Sequence, residues 1–277
     1  MSAMSAMNTM PEASTTRMLH AKRTSTVATW VLLRGLTRET GHWGDFPALL
    51  RARRPDDTVV AIDLPGNGRL HGEASPTRID ATVEHCRAQL RAMSIDGPVH
   101  LLAMSMGAMV AVEWATRHPE ALAGCVLVNT SLRPFSPWFH RLRPANYVAL
   151  LGLALWPQLD RDRERTVLRL TSRHHVDDDI VIDAGTALRG AHPVSAANAL
   201  RQLLAAARYR APKLAPAVPM LVLTSARDGL VDSRCSQRLA RHWGVEIQTH
   251  PTAGHDLPLD DGLWLVAVAV QWADLLR

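Results

Sequence analysis

Six short apolar runs punctuate the chain, at residues 28–33 (ATWVLL), 58–63 (TVVAID), 99–103 (VHLLA), 124–129 (GCVLVN), 220–225 (MLVLTS) and 245–250 (VEIQTH). The first five are largely apolar, as strands covered on both faces must be. Each is followed by turn residues, such as Leu64-Pro65-Gly66 and Met104-Ser105. Helical patterns lie between the runs, at 79–93, 106–117 and 233–242, and Pro119 and Gly244 stand where the latter two must stop. This alternation predicts an α/β protein: a doubly wound, mostly parallel sheet of about six strands with helices on both faces.

One interval breaks the rhythm. About 90 residues separate the run ending near Asn129 from the one starting near Met220, far more than a crossover helix needs. It opens on a proline-rich stretch (RPFSPW, 133–138) and continues with helical patterns at 146–155, 161–173, 177–188 and 195–209. The expected organisation is a core of residues 27–130 and 211–277 with a helical cap, 131–210, inserted. Residues 1–26, rich in Ser, Thr, Ala and Met without apolar periodicity, read as a loosely attached tail. Five methionines in the first 18 residues leave the true start open.

Composition narrows the function classes. Hydrophobic residues make up 47% of the 277 and charged residues 21%, which excludes wholesale disorder. The longest uncharged apolar run, YVALLGLALW at 147–156, is half of the ~20 residues a bilayer span needs, so no integral membrane association is expected. Cys86, Cys125 and Cys235 are odd in number and far apart. They suit reduced, buried thiols and a cytoplasmic protein. The net charge is +5, and all basic residues but Lys22 and Lys213 are arginine. No basic run carries interleaved aromatics, so no nucleic-acid partner is expected. Residues 131–212 hold twelve arginines against seven acids.

Ligands of an open α/β sheet bind at the carboxyl ends of its strands, so the residues there carry the chemistry. After the third run comes Ala103-Met104-Ser105-Met106-Gly107 and then a helix. This is G-x-S-x-G with Ala at the first position, a tight turn that exposes a serine over a helix N-terminus. The Met106 N–H and the helix dipole there can stabilise an oxyanion. After the first run, Arg34-Gly35-Leu36-Thr37 offers a second donor, the Leu36 N–H. The fifth run ends at Ser225-Ala226-Arg227-Asp228, and an acid there can orient a histidine. Asp232 competes for that role, although it also suits a cap on the following helix. After the sixth run, Gly254-His255 places a histidine to act as a general base. The order Ser, Asp, His along the chain is that of one serine-hydrolase architecture among three.

With RGLTRETGHW after the first strand, DLPGNG at 63–68, AMSMG at the elbow, SARDGLVD and AGHDLPLDD, the chain resembles the α/β-hydrolase superfamily. The resemblance covers residues 27–130 and 211–277, and the insertion falls where that family carries its cap. It implies a Ser105 nucleophile, a His255 base, Asp228 as its orienter, and an oxyanion hole from the Leu36 and Met106 N–H groups. Arg34 stands where His usually precedes the glycine, and Ala103 where the first elbow glycine belongs. The family's amino-terminal hairpin strands have no counterpart in residues 1–26.

The expected function is a cofactor-free serine hydrolase that cleaves a small carboxylic ester, with that ester and water as its partners. The same machinery also suits a thioesterase, a C–C bond hydrolase or an acyltransferase. A catalytically silent ligand-binding member is the alternative of another class. Arg34 reads either as a substrate-carboxylate ligand or as a structural replacement. Phe135, Trp138, Tyr147 and Trp156 read either as acyl-pocket walls or as the cap's own core. His174 and His175 before Asp177–Asp179 have the look of a metal cluster but share no helical face, so no metal site is expected.

Overall fold

The computed structural model describes residues 27–155 and 159–276; the tail at 1–26, the missing hairpin and Trp156 lie outside the described residues. Six strands form one sheet in the order β2-β1-β3-β4-β5-β6. They are β1 Thr29–Leu33, β2 Thr58–Ile62, β3 Val99–Met104, β4 Leu122–Val128, β5 Met220–Ser225 and β6 Glu246–His250. Every pairing is parallel. The strand order reverses direction between β1 and β3, so the crevice of such a sheet opens at the ends of those two strands.

Burial explains why the apolar runs became strands. All six residues of β3 and all six of β5 are buried, whereas the edge strand β6 buries only His250 fully and reads as half-polar. Among the helices that flank the sheet, α1 (Phe46–Arg53) and α11 (Gly262–Asp274) cover one face, and α2 (Ile79–Ala92), α3 (Met106–Arg117) and α9 (Arg234–Trp243) the other. Cys86, Cys125 and Cys235 are all buried. Burial pushes the Cys86 thiol up to about 12 and the Cys235 thiol up to about 11, which makes them inert packing groups.

Between β4 and β5 lie the helices α4 (Trp138–Arg141), α5 (Tyr147–Leu155), α6 (Asp160–Thr171), α7 (Asp179–Ala191) and α8 (Ala196–Arg208). The short α10 (Leu257–Asp260) follows β6. Two polar residues start helices in this block: the Asp178 carboxylate accepts from Ile180 and Val181 N–H, and the Ser195 hydroxyl from Asn198 N–H.

Glu164 of α6, 3% exposed, ties the block to the loop after β1. Its Oε2 accepts from Arg38 at 2.7 Å and its Oε1 from Arg189 of α7 at 2.6 and 2.9 Å. Burial pushes this carboxyl up, but the two guanidiniums outweigh it and hold it below the usual range. Glu164→Gln is expected to destabilise the protein by about 2–3 kcal/mol near neutral pH, because it leaves two half-buried cations short of their counter-charge. The native value is depressed, so the ion pairs stabilise above the ordinary glutamate pKa and lose their effect as the pH falls through the lowered one. Thermal unfolding of the two proteins is therefore expected to differ near neutrality and to converge in acid.

Candidate active site

Ser105 sits between β3 and α3 with φ 55° and ψ −116°, a conformation that L residues avoid and that a nucleophile elbow imposes. The surroundings hold it there. Its N–H donates to Val128 O at 2.9 Å, and its carbonyl accepts from the Thr130 hydroxyl at 3.0 Å. The flanking small residues follow from contact. A Cβ on Gly107 would lie 2.6 Å from the carbonyl oxygens of Leu33 and Arg34, so α3 comes this close to β1 only with glycine there. A Cβ on Gly35 would lie 3.0 Å from Ser105 Cβ, which puts the loop after β1 directly against the elbow. Ala103, the departure at the first elbow position, is fully buried within β3.

Past the ends of β5 and β6, His255 Nδ1 donates to Asp228 Oδ2 at 2.7 Å, and both side chains are buried. Asp228 Oδ1 accepts from the N–H groups of Leu230 and Val231, each at 2.8 Å, so the carboxylate is held from both ends. A carboxylate on Nδ1 keeps the ring's other nitrogen, Nε2, free of its proton and able to accept one. Asp232 is engaged elsewhere. It accepts from Arg234 through both oxygens, at 2.9 and 2.6 Å, and this pairing holds its carboxyl at about 2.

A family model described as serine aminopeptidase, S33, matches residues 25–262. The chain belongs to the S33 serine aminopeptidase family. This is a family of α/β hydrolases, and the solved structures it resembles share the fold. One is the esterase RhEst1 from Rhodococcus sp. ECU1013, matched with a TM-score of 0.71 at 18% identity over 91% of this chain and 92% of that one. Among curated relatives, the biotin biosynthesis bifunctional protein BioHC of Teredinibacter turnerae is 36% identical over 36% of this chain and 17% of its own length. A pimeloyl-[acyl-carrier protein] methyl ester esterase of Chromobacterium violaceum is 30% identical over 54% of this chain and 55% of its own length. The chain thus spans about half or less of the length of these two relatives.

In this S33 chain the remaining expected site residues have varied placements. Leu36 and Met106 lie on either side of the Gly35–Ser105 contact, and among the described residues neither of their N–H groups has a protein acceptor. Arg34 is 2% exposed and spends both terminal nitrogens on Asp256, at 2.9 and 2.6 Å, with its guanidinium 5.1 Å from the centre of the Trp43 ring. Burial pushes the Asp256 carboxyl up, but Arg34 outweighs it and holds it low. Its charge is matched by the residue next to His255, an arrangement that suits the structural one of its two readings. Phe135 packs on α9, its ring centre 4.7 Å from His242 and 5.7 Å from Trp243. Trp138 is 66% exposed and lies against Phe139 and Tyr147. Neither borders either of two small clefts between the core and the helices inserted after β4. One borders Thr37, Glu39, His42 and Glu164; the other borders Leu64, Ser75, Met106 and Gln202.

The side chains of the His174–Asp179 stretch pair partly with one another and partly with outside residues. His174 Nδ1 faces Asp260 O, His175 Nδ1 pairs with Asp178, and Asp177 pairs with Arg169.

Three buried polar side chains, two of them around His255, escaped sequence reasoning. Asn129, at φ 46°, donates to His255 O at 2.8 Å and accepts from Ser225 N–H at 2.8 Å. Asp260 accepts from Gly254 N–H at 2.6 Å and Arg173 N–H at 2.9 Å, and from the Ser172 hydroxyl. It joins the histidine loop to the segment after α6, where a Cβ on Gly254 would meet Thr171 O at 2.7 Å. Gln202 reaches the loop after β1 from α8. An Asn at a strand end that must turn through positive φ was a usable signal for the first. The other two depend on contacts with the segment inserted between β4 and β5, which leave no local pattern.

Proposed function

We propose that the protein hydrolyses a carboxylic ester through an acyl-enzyme. The observation that carries this reading is the buried 2.7 Å hydrogen bond from His255 to Asp228, set at the same edge of the sheet as a serine on a strained elbow. His255 Nε2 takes the Ser105 proton as Oγ bonds to the acyl carbon. The Leu36 and Met106 N–H groups hold the negative oxygen that results. Collapse breaks the ester C–O bond, and the same proton passes from His255 to the departing alkoxide. Water, deprotonated by His255, then attacks the acyl carbon and releases the acid and Ser105. Asp228 stabilises the imidazolium and fixes its tautomer throughout. The family name includes peptidases; the ester reading is preferred because the relative from Chromobacterium violaceum is named a methyl ester esterase.

A panel of methyl esters, thioesters and diketones of matched acyl chains tests the substrate class. Esters are expected to show the highest kcat/KM; a thioester or diketone preference would move the assignment to that bond.

The positive insertion bears on substrate charge. Part of its charge is matched locally: Arg161 pairs with Asp179 and Asp183, Arg165 with Asp162, Arg169 with Asp177, and Arg189 with Glu164, whereas Arg133, Arg141, Arg163 and Arg173 donate to backbone carbonyls. Paired charges steer ligands weakly. Neutral and anionic esters of equal size are therefore expected to give parallel kcat/KM curves against ionic strength. A salt-dependent fall for the anionic ester alone would show a steering field instead.

A further inference from the structure

The loop that carries the Leu36 N–H is a four-residue turn, closed by Arg38 N–H on Gly35 O at 3.3 Å. Its third residue, Thr37, has φ 57°. A turn with positive φ at that position alone is the type II pattern, which calls for glycine or asparagine there. Threonine, branched at Cβ, is poorly suited to it, and a strained residue persists only where its surroundings fix it.

What fixes it comes from the other side of the core–cap junction. Gln202 of α8, 3% exposed, accepts from Thr37 N–H at 2.8 Å. The orientation of the Gln202 amide is itself determined, because Nε2 donates to Asn67 Oδ1 at 2.7 Å and to Ser75 Oγ at 3.0 Å. Asn67 in turn donates to Arg38 O at 3.0 Å, at the far end of the same turn. One glutamine thus links the central peptide of the turn to the loop after β2.

We propose that Gln202 is a positioning residue for the oxyanion site: by holding Thr37 N–H it keeps the Gly35–Arg38 turn, and the Leu36 N–H within it, where the negative oxygen forms. This rests on the ester-hydrolysis reading above. Donors stabilise a transition state only when they are aimed before the charge develops, and a displacement of about 1 Å costs on the order of 10²-fold in rate. Without its acceptor, the Thr37 N–H has no partner and the turn is free to relax toward the negative φ that threonine favours. The α8 part of the insertion therefore completes the catalytic geometry as well as covering it.

The test is Gln202→Leu, with Gln202→Met as the second variant if the leucine protein does not fold. Either is expected to lower kcat by about 10- to 100-fold with KM within about twofold, and to weaken a boronic-acid transition-state analogue by the same factor as kcat. Binding of the product acid should be unchanged. Adding Thr37→Gly is expected to restore most of the lost kcat, because glycine holds φ 57° without a brace. Amide exchange at Thr37, which needs no turnover, should speed up in the Gln202 variant. Unchanged exchange, an undiminished kcat, or a loss that Thr37→Gly does not repair overturns the proposal. A wild-type protein that neither hydrolyses esters nor binds the analogue overturns instead the reading on which it rests.

Discussion

Ser105→Ala is expected to lower ester turnover by at least about 10³-fold while the protein stays folded. The substitution removes one hydroxyl from a half-buried position, and the backbone contacts that hold the elbow, Ser105 N–H to Val128 O and Thr130 to Ser105 O, do not involve it. A companion variant separates chemistry from strain. Ser105→Gly should lose activity equally, yet gain about 1 kcal/mol of stability, because glycine takes φ 55° without penalty. Steady-state kinetics and thermal melts of both variants check this. Residual turnover near the wild-type level in purified Ser105→Ala would remove serine from the mechanism.

Asp228→Asn should be comparably severe, a loss of about 10⁴-fold in kcat, and Asp232→Asn should stay within about twofold of wild type. An asparagine at 228 keeps Oδ1 on the Leu230 and Val231 N–H groups and so turns its amide NH₂ toward His255 Nδ1. The ring must then accept at Nδ1 and carry its proton on Nε2, the tautomer that cannot take a proton from serine. Asp232 is bonded to the largely exposed side chain of Arg234, and losing that pair disturbs only the start of α9. Comparison of the two kcat values decides; the reverse ranking would transfer the orienting role to Asp232.

The strands were legible because burial on two faces writes itself as uninterrupted apolar runs. The 220–225 run became β5 without a change of boundary, and 99–103 gained only Met104. Start positions slipped where a polar or small residue belongs to a strand: the fourth run, taken from Gly124, begins at Leu122. The strand-end residues Ser105, Asp228 and His255 stood out because parallel sheets place function at one edge. Legibility ended at pairings between distant loops. Arg34 meets Asp256 across 222 positions, and Gln202 meets Thr37 across 165. No periodicity records such contacts, so Arg34 kept both a substrate-ligand and a structural reading. Aromatic side chains kept two readings for a related reason. Phe135 and Trp138 suit a pocket or a core by type, and the proline-rich segment that holds both carries one onto α9 and leaves the other largely exposed.

Labelling with a fluorophosphonate probe, followed by peptide mapping, tests most directly whether Ser105 is a nucleophile served by His255 and Asp228. One adduct is expected, on the peptide containing Ser105, forming rapidly in the wild-type protein, at least about 10³-fold more slowly in Asp228→Asn, and not at all in Ser105→Ala. An unlabelled wild-type protein, or an adduct that persists in Ser105→Ala, would contradict the assignment.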